Sequence, residues 1–227
     1  FQQGTYQQDL HVINIRTREL TFPVTTGEMP PPRVGHVMVN YGKNIYIWGG
    51  YNGDWLNDIY VLDTETLAWR KVFCQIKGRT SVGTAVVGNI LYIFGCSRTD
   101  GLLKFNFTTE VMSQVKVSGT EPPTEITGSS FIPIGKYLIL IGGKKKDRKY
   151  QLIYGFDTEK DRWFIFHIVP DGITVNYSDG STTKEGLFQT PCVSGASSFY
   201  RERSREIIVF LGVPHVNPIM FFCIDIA

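Results

Sequence analysis

Histidine, cysteine and long apolar stretches are all scarce in this 227-residue chain, and each scarcity closes off a class of function. The four histidines, His11, His36, His167 and His215, are scattered, with no i,i+2 or i,i+4 pair of the kind that grips a metal. No G-x-S-x-G, H-E-x-x-H or phosphate-binding loop occurs, so neither a catalytic metal nor a cofactor is expected. The four cysteines, Cys74, Cys96, Cys192 and Cys223, share no metal-like spacing. Free, partly buried thiols are the expectation, and with them a cytoplasmic location. No apolar run approaches the roughly 18 residues of a membrane span. The opening FQQGTYQQDL lacks the basic and apolar regions of a signal peptide. A formal net charge of +2 is too small to argue for a nucleic-acid partner. Asn106-Phe107-Thr108 and Asn176-Tyr177-Ser178 match the glycosylation pattern, but the first falls inside a predicted strand.

What the chain has is turn chemistry between short apolar runs. Hydrophobic residues make up 42% of it, aromatics 13%, and there are 23 glycines, a globular composition with many tight turns. The stretch Arg33–Trp69 shows the design. Val37–Val39, Ile45–Trp48 and Ile59–Leu62 are apolar runs separated by Tyr41-Gly42-Lys43-Asn44 and Gly49-Gly50-Tyr51-Asn52-Gly53. β-Branched and aromatic runs bounded by Gly, Asn and Asp predict an antiparallel meander. Trp69 opens a fourth strand, and the four are labelled A to D. Such a sheet has two apolar faces and needs a neighbour of its own kind on each side.

Those neighbours recur in register. Gly35 of Val-Gly-His is matched to Gly83, Gly128 and Gly195. The apolar run ending in Gly49-Gly50 recurs as LYIFGC with Gly95, YLILIGG with Gly142 and Gly143, and IIVFLG with Gly212. YVLDTET recurs as LKFNFTT, YGFDTEK and FCIDIA, an earlier copy being HVINIRTREL, and Trp69 has its counterpart in Trp163. A period of about 40 to 50 residues with four strands per unit is the mark of a β-propeller.

Arg33-Val34-Gly35-His36, Tyr46-Ile47-Trp48-Gly49-Gly50, Asn57-Asp58-Ile59-Tyr60-Val61-Leu62-Asp63-Thr64 and Trp69 closely resemble a kelch repeat. The resemblance covers nearly the whole chain and weakens outward: Cys96 replaces a second glycine, Leu211 a first, and no Trp follows Thr109. It implies an all-β kelch propeller of four-stranded antiparallel blades, here about four to five blades of a larger ring. Within 1–227, one kelch region, residues 1–29 read as a half blade, followed by blades over 30–77, 78–117 and 118–169. An inserted loop, 170–191, precedes an incomplete blade, 192–227. Thr25–Pro32 reads as loop, because proline cannot donate to a ladder. Pro133 suggests that the third blade's A strand ends early.

In an up-and-down blade, the B–C loop and the D–A linker lie at one end, and loops on a rigid scaffold carry binding residues. Candidate partner-binding residues there are Tyr51, Asn52, Asp54 and Trp55 of the YNGDW turn, with Tyr and Trp as favoured interface anchors. Trp55 packing against an adjacent blade is the competing reading. Lys144, Lys145, Lys146, Arg148 and Lys149 form a basic run, with Arg79 and Arg98 on neighbouring loops, suited to an acidic segment of a partner or to solvent alone. Arg33 and His36 read as structural. The resemblance implies a non-catalytic protein-interaction module of scaffold or adaptor type, with a signalling role. The rival reading is a kelch-fold enzyme, copper oxidase-like or sugar-active, with an axial pocket completed elsewhere.

Overall fold

The computed structural model describes residues 8–96, 101–146, 148–149, 151–168, 181–182, 188–190, 193–210, 212 and 219–223. Among them every regular element is a β-strand. Internal contacts divide the chain into two units, residues 1–81 with 107–112, and 82–106 with 113–227.

The first unit begins with a hairpin of β1 (Val12–Asn14) and β2 (Glu19–Thr21). Its turn is built by Asn14, whose side-chain oxygen accepts the N–H groups of Arg16 and Thr17 at 3.0 and 3.1 Å. β3 (Thr26–Gly27), β4 (Val37–Tyr41), β5 (Asn44–Trp48), β6 (Ile59–Asp63) and β7 (Ala68–Val72) form one sheet in the order β3-β7-β6-β5-β4. β4 to β7 are the expected A to D strands. The turn between β6 and β7 repeats the first one. Asp63 Oδ1 accepts from Glu65 and Thr66 at 2.9 and 3.0 Å, and Leu67 closes the turn at φ 56° as Arg18 does at 61°. Tyr60, Leu62, Ile47 and Trp69 form one core cluster of this unit, with Leu10 and Met29 packed on it.

β3 corrects the expectation that 25–32 is all loop. It pairs in parallel with β7, Thr26 opposite Ala68 and Gly27 opposite Trp69. The prolines lie just beyond it, so the missing donors fall outside the ladder.

In the second unit lie β8 (Gly83–Val87), β9 (Ile90–Phe94) and β10 (Leu103–Asn106); β11 (Val111–Gln114), whose first two residues count with the first unit, completes their sheet in the order β11-β10-β9-β8. β11 ends at Gln114, three residues short of the blade boundary expected at 117. The next sheet contains β12 (Ser118–Gly119), β13 (Ser130–Ile134) and β14 (Tyr137–Ile141), then, after a separate hairpin of β15 (Lys144–Lys145) and β16 (Arg148–Lys149), β17 (Tyr154–Asp157) and β18 (Arg162–Ile165). Its order is β12-β18-β17-β14-β13, and β12 lies parallel to β18 as β3 does to β7. The C strand starts at Tyr154; ahead of it Gln151 bonds with Thr190, donating through Nε2 to its carbonyl at 3.1 Å and accepting its N–H on the backbone carbonyl at 3.1 Å. β13 continues through Pro133 to Ile134. Pro133 is tolerated because β13 is the edge of its sheet, where the absent N–H leaves no ladder bond unmade. The inserted segment 170–191, expected as loop, contains a small hairpin of β19 (Ser181–Thr182) and β20 (Phe188–Gln189). β21 (Ser197–Arg201), β22 (Glu206–Phe210) and β23 (Ile219–Cys223) form a three-stranded sheet.

Two-sided burial shows along β14. Leu138 and Leu140 enter a core with Phe94, Phe131, Phe156 and Trp163, while Ile139 and Ile141 enter another with Ile132, Val193, Ile207 and Val209. Period-2 alternation thus places both faces of one strand in apolar surroundings. At about 1.5–3 kcal/mol per fully buried large side chain, packing between sheets dominates stability.

One repeat landmark shifts. Gly35, Gly128 and Gly195 stand two residues before their A strands at φ 63°, 67° and 68°. The second blade fills that place with Ser81 at φ 53°, not with Gly83, which already belongs to β8. Ser81 donates its N–H to Gly35 at 3.0 Å, as Gly195 does to Gly128 at 2.7 Å.

Candidate partner-binding face

The first blade's B–C connection starts at the glycine pair. A Cβ on Gly49, at φ 68°, would lie 2.7 Å from the Arg79 carbonyl oxygen, and Gly50 donates its N–H to that oxygen at 2.9 Å. Only glycine lets the chain pass so close. The same contact recurs with Gly95, Cys96 and Ile126, and with Gly142, Gly143 and Val193: Cys96 and Gly143 donate at 2.8 and 2.7 Å. Cys96 does this at φ 53° without being glycine.

Beyond Gly50 the chain is held at both margins. Tyr51 and Val34 exchange N–H bonds at 2.9 and 3.0 Å, and Leu56 donates to Gly50 at 3.0 Å. Residues 51–55 therefore form a closed turn. Trp55 is 51% exposed, and its ring meets that of half-buried Tyr51 edge-on at 5.5 Å. Asp54 is exposed and Asn52 half-buried.

Beneath the turn lies an ion pair. Arg33 Nη1 donates to Asp58 Oδ1 at 2.6 Å and to the Gly49 carbonyl at 3.0 Å, Nε donates to Pro31 at 3.1 Å, and the guanidinium lies 5.3 Å from the Tyr60 ring centroid. His36 sits beside it, and burial, followed by the Arg33 charge, holds its imidazole below the usual 6.5. Arg33 thus serves the fold. Asp58, its counter-charge, was not singled out from the sequence; an Asp just before the C strand was the available signal.

Arg79 requires correction. Only 1% of it is exposed, and what it contributes at this turn is its backbone carbonyl, so it is not a surface cation. The basic run on the third blade is a hairpin rather than a loop. Thr127 and Lys144 exchange N–H bonds at 2.9 Å each, and Lys145 is ion-paired with Glu125, which sequence reasoning missed. Lys144 and Lys146 are exposed. The backbones of Arg148 and Lys149 form β16, and Arg98 lies outside the described residues. On the second blade, a cleft of about 480 Å³ opens between Gln114–Val117 and the linker residues Glu121 and Thr124. Among the described residues, no group of three or more His, Cys, Asp or Glu side chains is placed to hold a metal. No described helix is long and apolar enough to cross a membrane.

Antiparallel A to D strands, with the B strand closed by a tight left-handed turn at Gly49-Gly50, Gly95-Cys96 and Gly142-Gly143, define the blades of a β-propeller. The description KLHDC2/KLHL20/DRC7 Kelch-repeats domain matches residues 1–178, and the chain belongs to the kelch-repeat family. It is 30% identical over 133 residues to N-(sulfonatooxy)prop-2-enimidothioate sulfolyase of Thlaspi arvense, covering 50% of this chain and 38% of that protein. It is 30% identical over 139 residues to host cell factor 1 of Rattus norvegicus, covering 55% of this chain and 6% of that protein. With acyl-CoA-binding domain-containing protein 4 of Arabidopsis thaliana it shares 37% identity over 103 residues, 45% of this chain and 15% of the other. The matched regions span only 6% to 38% of these relatives' lengths.

Proposed function

We propose that this chain is a protein-interaction module of scaffold or adaptor type that binds its partner through B–C turns. The observation that carries this reading is the Tyr51–Trp55 turn. It presents an exposed indole braced by a second aromatic ring on a hydrogen-bonded loop. A pre-ordered aromatic anchor loses little entropy on binding, and truncating such an anchor costs about 2 kcal/mol or more. In the second unit, the exposed Lys144 and Lys146 carry charge suited to an acidic segment, as a B–C turn taken by itself. Free thiols at Cys74 and Cys96 support a cytoplasmic setting.

The test is a pull-down from cell extract with the native chain, Tyr51→Ala/Trp55→Ala, and Lys144→Glu/Lys146→Glu, with circular dichroism to confirm folding. A partner lost by the folded aromatic variant supports the reading. A partner held at full strength by both variants refutes the assignment of these turns. The similarity to a sulfolyase favours a second reading, a kelch-fold enzyme. Stoichiometric metal bound to the native protein, measured by mass spectrometry, would favour that reading over a scaffold alone.

A further inference from the structure

Among the described residues, the sheets of the first and third blades carry a fifth strand on the outer edge of strand D, and that of the second blade has four strands only. In the first, Thr26 donates its N–H to the Leu67 carbonyl at 3.0 Å and Glu28 to that of Trp69 at 3.3 Å. In the third, Ser118 donates to Asp161 at 3.0 Å and Thr120 to Trp163 at 3.1 Å. Gly27 and Gly119 lie between these donors at φ 81° and 85°, and a Cβ on either would fall 2.1 Å from the Trp69 or Trp163 oxygen. The two segments read Thr-Gly-Glu-Met-Pro-Pro and Ser-Gly-Thr-Glu-Pro-Pro. A parallel strand of form Ser/Thr-Gly-x-x-Pro-Pro is therefore what this edge accepts.

The second blade lacks that strand because its linker is short. Fifteen residues, 22–36, run from β2 to β4, and fifteen, 115–129, from β11 to β13, but only ten, 73–82, from β7 to β8. Five fewer residues remove about 16 Å of reach at ~3.3 Å per residue. Leu67, Glu110 and Asp161 occupy the same turn position at φ 56°, 54° and 47°, so the corresponding acceptors are the Glu110 and Met112 carbonyls. Among the described residues no N–H outside the sheet reaches either one, and Val111 between them is 56% exposed. The acceptors are also pre-ordered. Arg70 grips the Glu110 carboxylate with both terminal nitrogens, and the Tyr46 hydroxyl donates to it at 3.3 Å.

We propose that the outer edge of β11 at Glu110–Met112 is a strand-addition site for an extended Ser/Thr-Gly-x-x-Pro-Pro segment of a partner protein. The segment binds in parallel, with its glycine opposite Met112. An exposed sheet edge recruits a strand through main-chain bonds, and the missing Cβ supplies selectivity. This rim site is separate from the loop face proposed above and does not depend on it.

The test uses the full chain and the synthetic peptide TTGEMPPP at millimolar concentration, read by amide hydrogen exchange. Slowed exchange across Val111–Gln114 is expected, at least tenfold weaker for a peptide with alanine in place of its glycine. Met112→Pro removes the outward N–H of an edge strand and sets a ring where the added strand would lie, so it should abolish the protection at the remaining amides of Val111–Gln114 while circular dichroism is unchanged. In a second variant, residues 22–36 replace residues 73–82. The edge should then be filled in cis, with Val111–Gln114 protected and added peptide without further effect. Equal protection by both peptides, protection confined to Ala68–Val72 or Arg162–Ile165, or no protection with either peptide or transplanted linker would overturn the proposal. Protection without peptide that grows with protein concentration would assign the edge to a second copy of this chain and overturn it as well.

Discussion

Replacing Asp58 with alanine tests whether the buried ion pair holds the first blade's B–C turn in place. The Arg33 side chain is 3% exposed and that of Asp58 15%, with a 2.6 Å contact between them. Removing the carboxylate leaves a buried guanidinium with two carbonyl acceptors, those of Gly49 and Pro31, and no counter-charge. Breaking a buried pair from one side costs about 3–5 kcal/mol. Water reaches Asp58 in part, so the expected loss is about 3 kcal/mol, read as a lowered urea midpoint at unchanged slope. Arg33→Met alone also destabilises, by removing the donors to those carbonyls. Arg33→Met/Asp58→Leu leaves no buried charge, and should lose about 2 kcal/mol less than the two single changes summed. A loss under about 1 kcal/mol for Asp58→Ala, or strict additivity in the cycle, would refute the reasoning.

Three further outcomes follow from particular contacts. Gly119→Ala places a methyl against the Trp163 carbonyl at positive φ. Lifting β12 off to relieve this loses two hydrogen bonds, for about 2–3 kcal/mol in all, together with exchange protection at Arg162–Ile165. His36 is held below 6.5 by burial and Arg33, so below that value the unfolded chain binds the proton first. Its contribution is intact above 6.5 and lost as pH falls through the lowered value; the urea midpoint should drop between about pH 8 and pH 5, and less so in His36→Gln. Asp63 is depressed to about 2, first by the Thr66 backbone N–H and then by Lys43. What it contributes to stability is present above 3.8 and fades as pH falls toward 2. Carboxyl NMR titration of Lys43→Ala should show Asp63 rising yet staying under 3.8, because the amide donor remains.

The B and C strands were legible because they are short apolar runs bounded by residues with one conformational task, and the D strands because they follow the turns those residues build. Asp63 and Asp157 accept two backbone N–H groups each, and Gly42 and Gly135 supply φ 59° and 57°. Such tasks are local, and local tasks mark the sequence. Ser81 shows the limit. It takes a left-handed position that glycine fills in the sister blades, so matching glycine to glycine drew the alignment two residues downstream to Gly83. The position is fixed by what Ser81 bonds to, the Gly35 carbonyl, and identity alone does not carry that.

The candidate site was legible only in part, for a related reason. Tyr51 and Trp55 could be placed in a turn from Gly49-Gly50 and Asn52-Gly53 alone. Arg79 sits in a polar linker that reads as surface, but its carbonyl lies under the Gly49-Gly50 turn and the residue is buried. The fifth strands were hidden more deeply. Two residues are too few for a periodic signal, and the prolines that follow read as loop. Their trace lies in the repeat of Ser/Thr-Gly-x-x-Pro-Pro ahead of two A strands and in the five-residue deficit of the linker 73–82. The deficit is the more informative of the two, because linker length decides whether a blade covers its own outer edge or leaves it open.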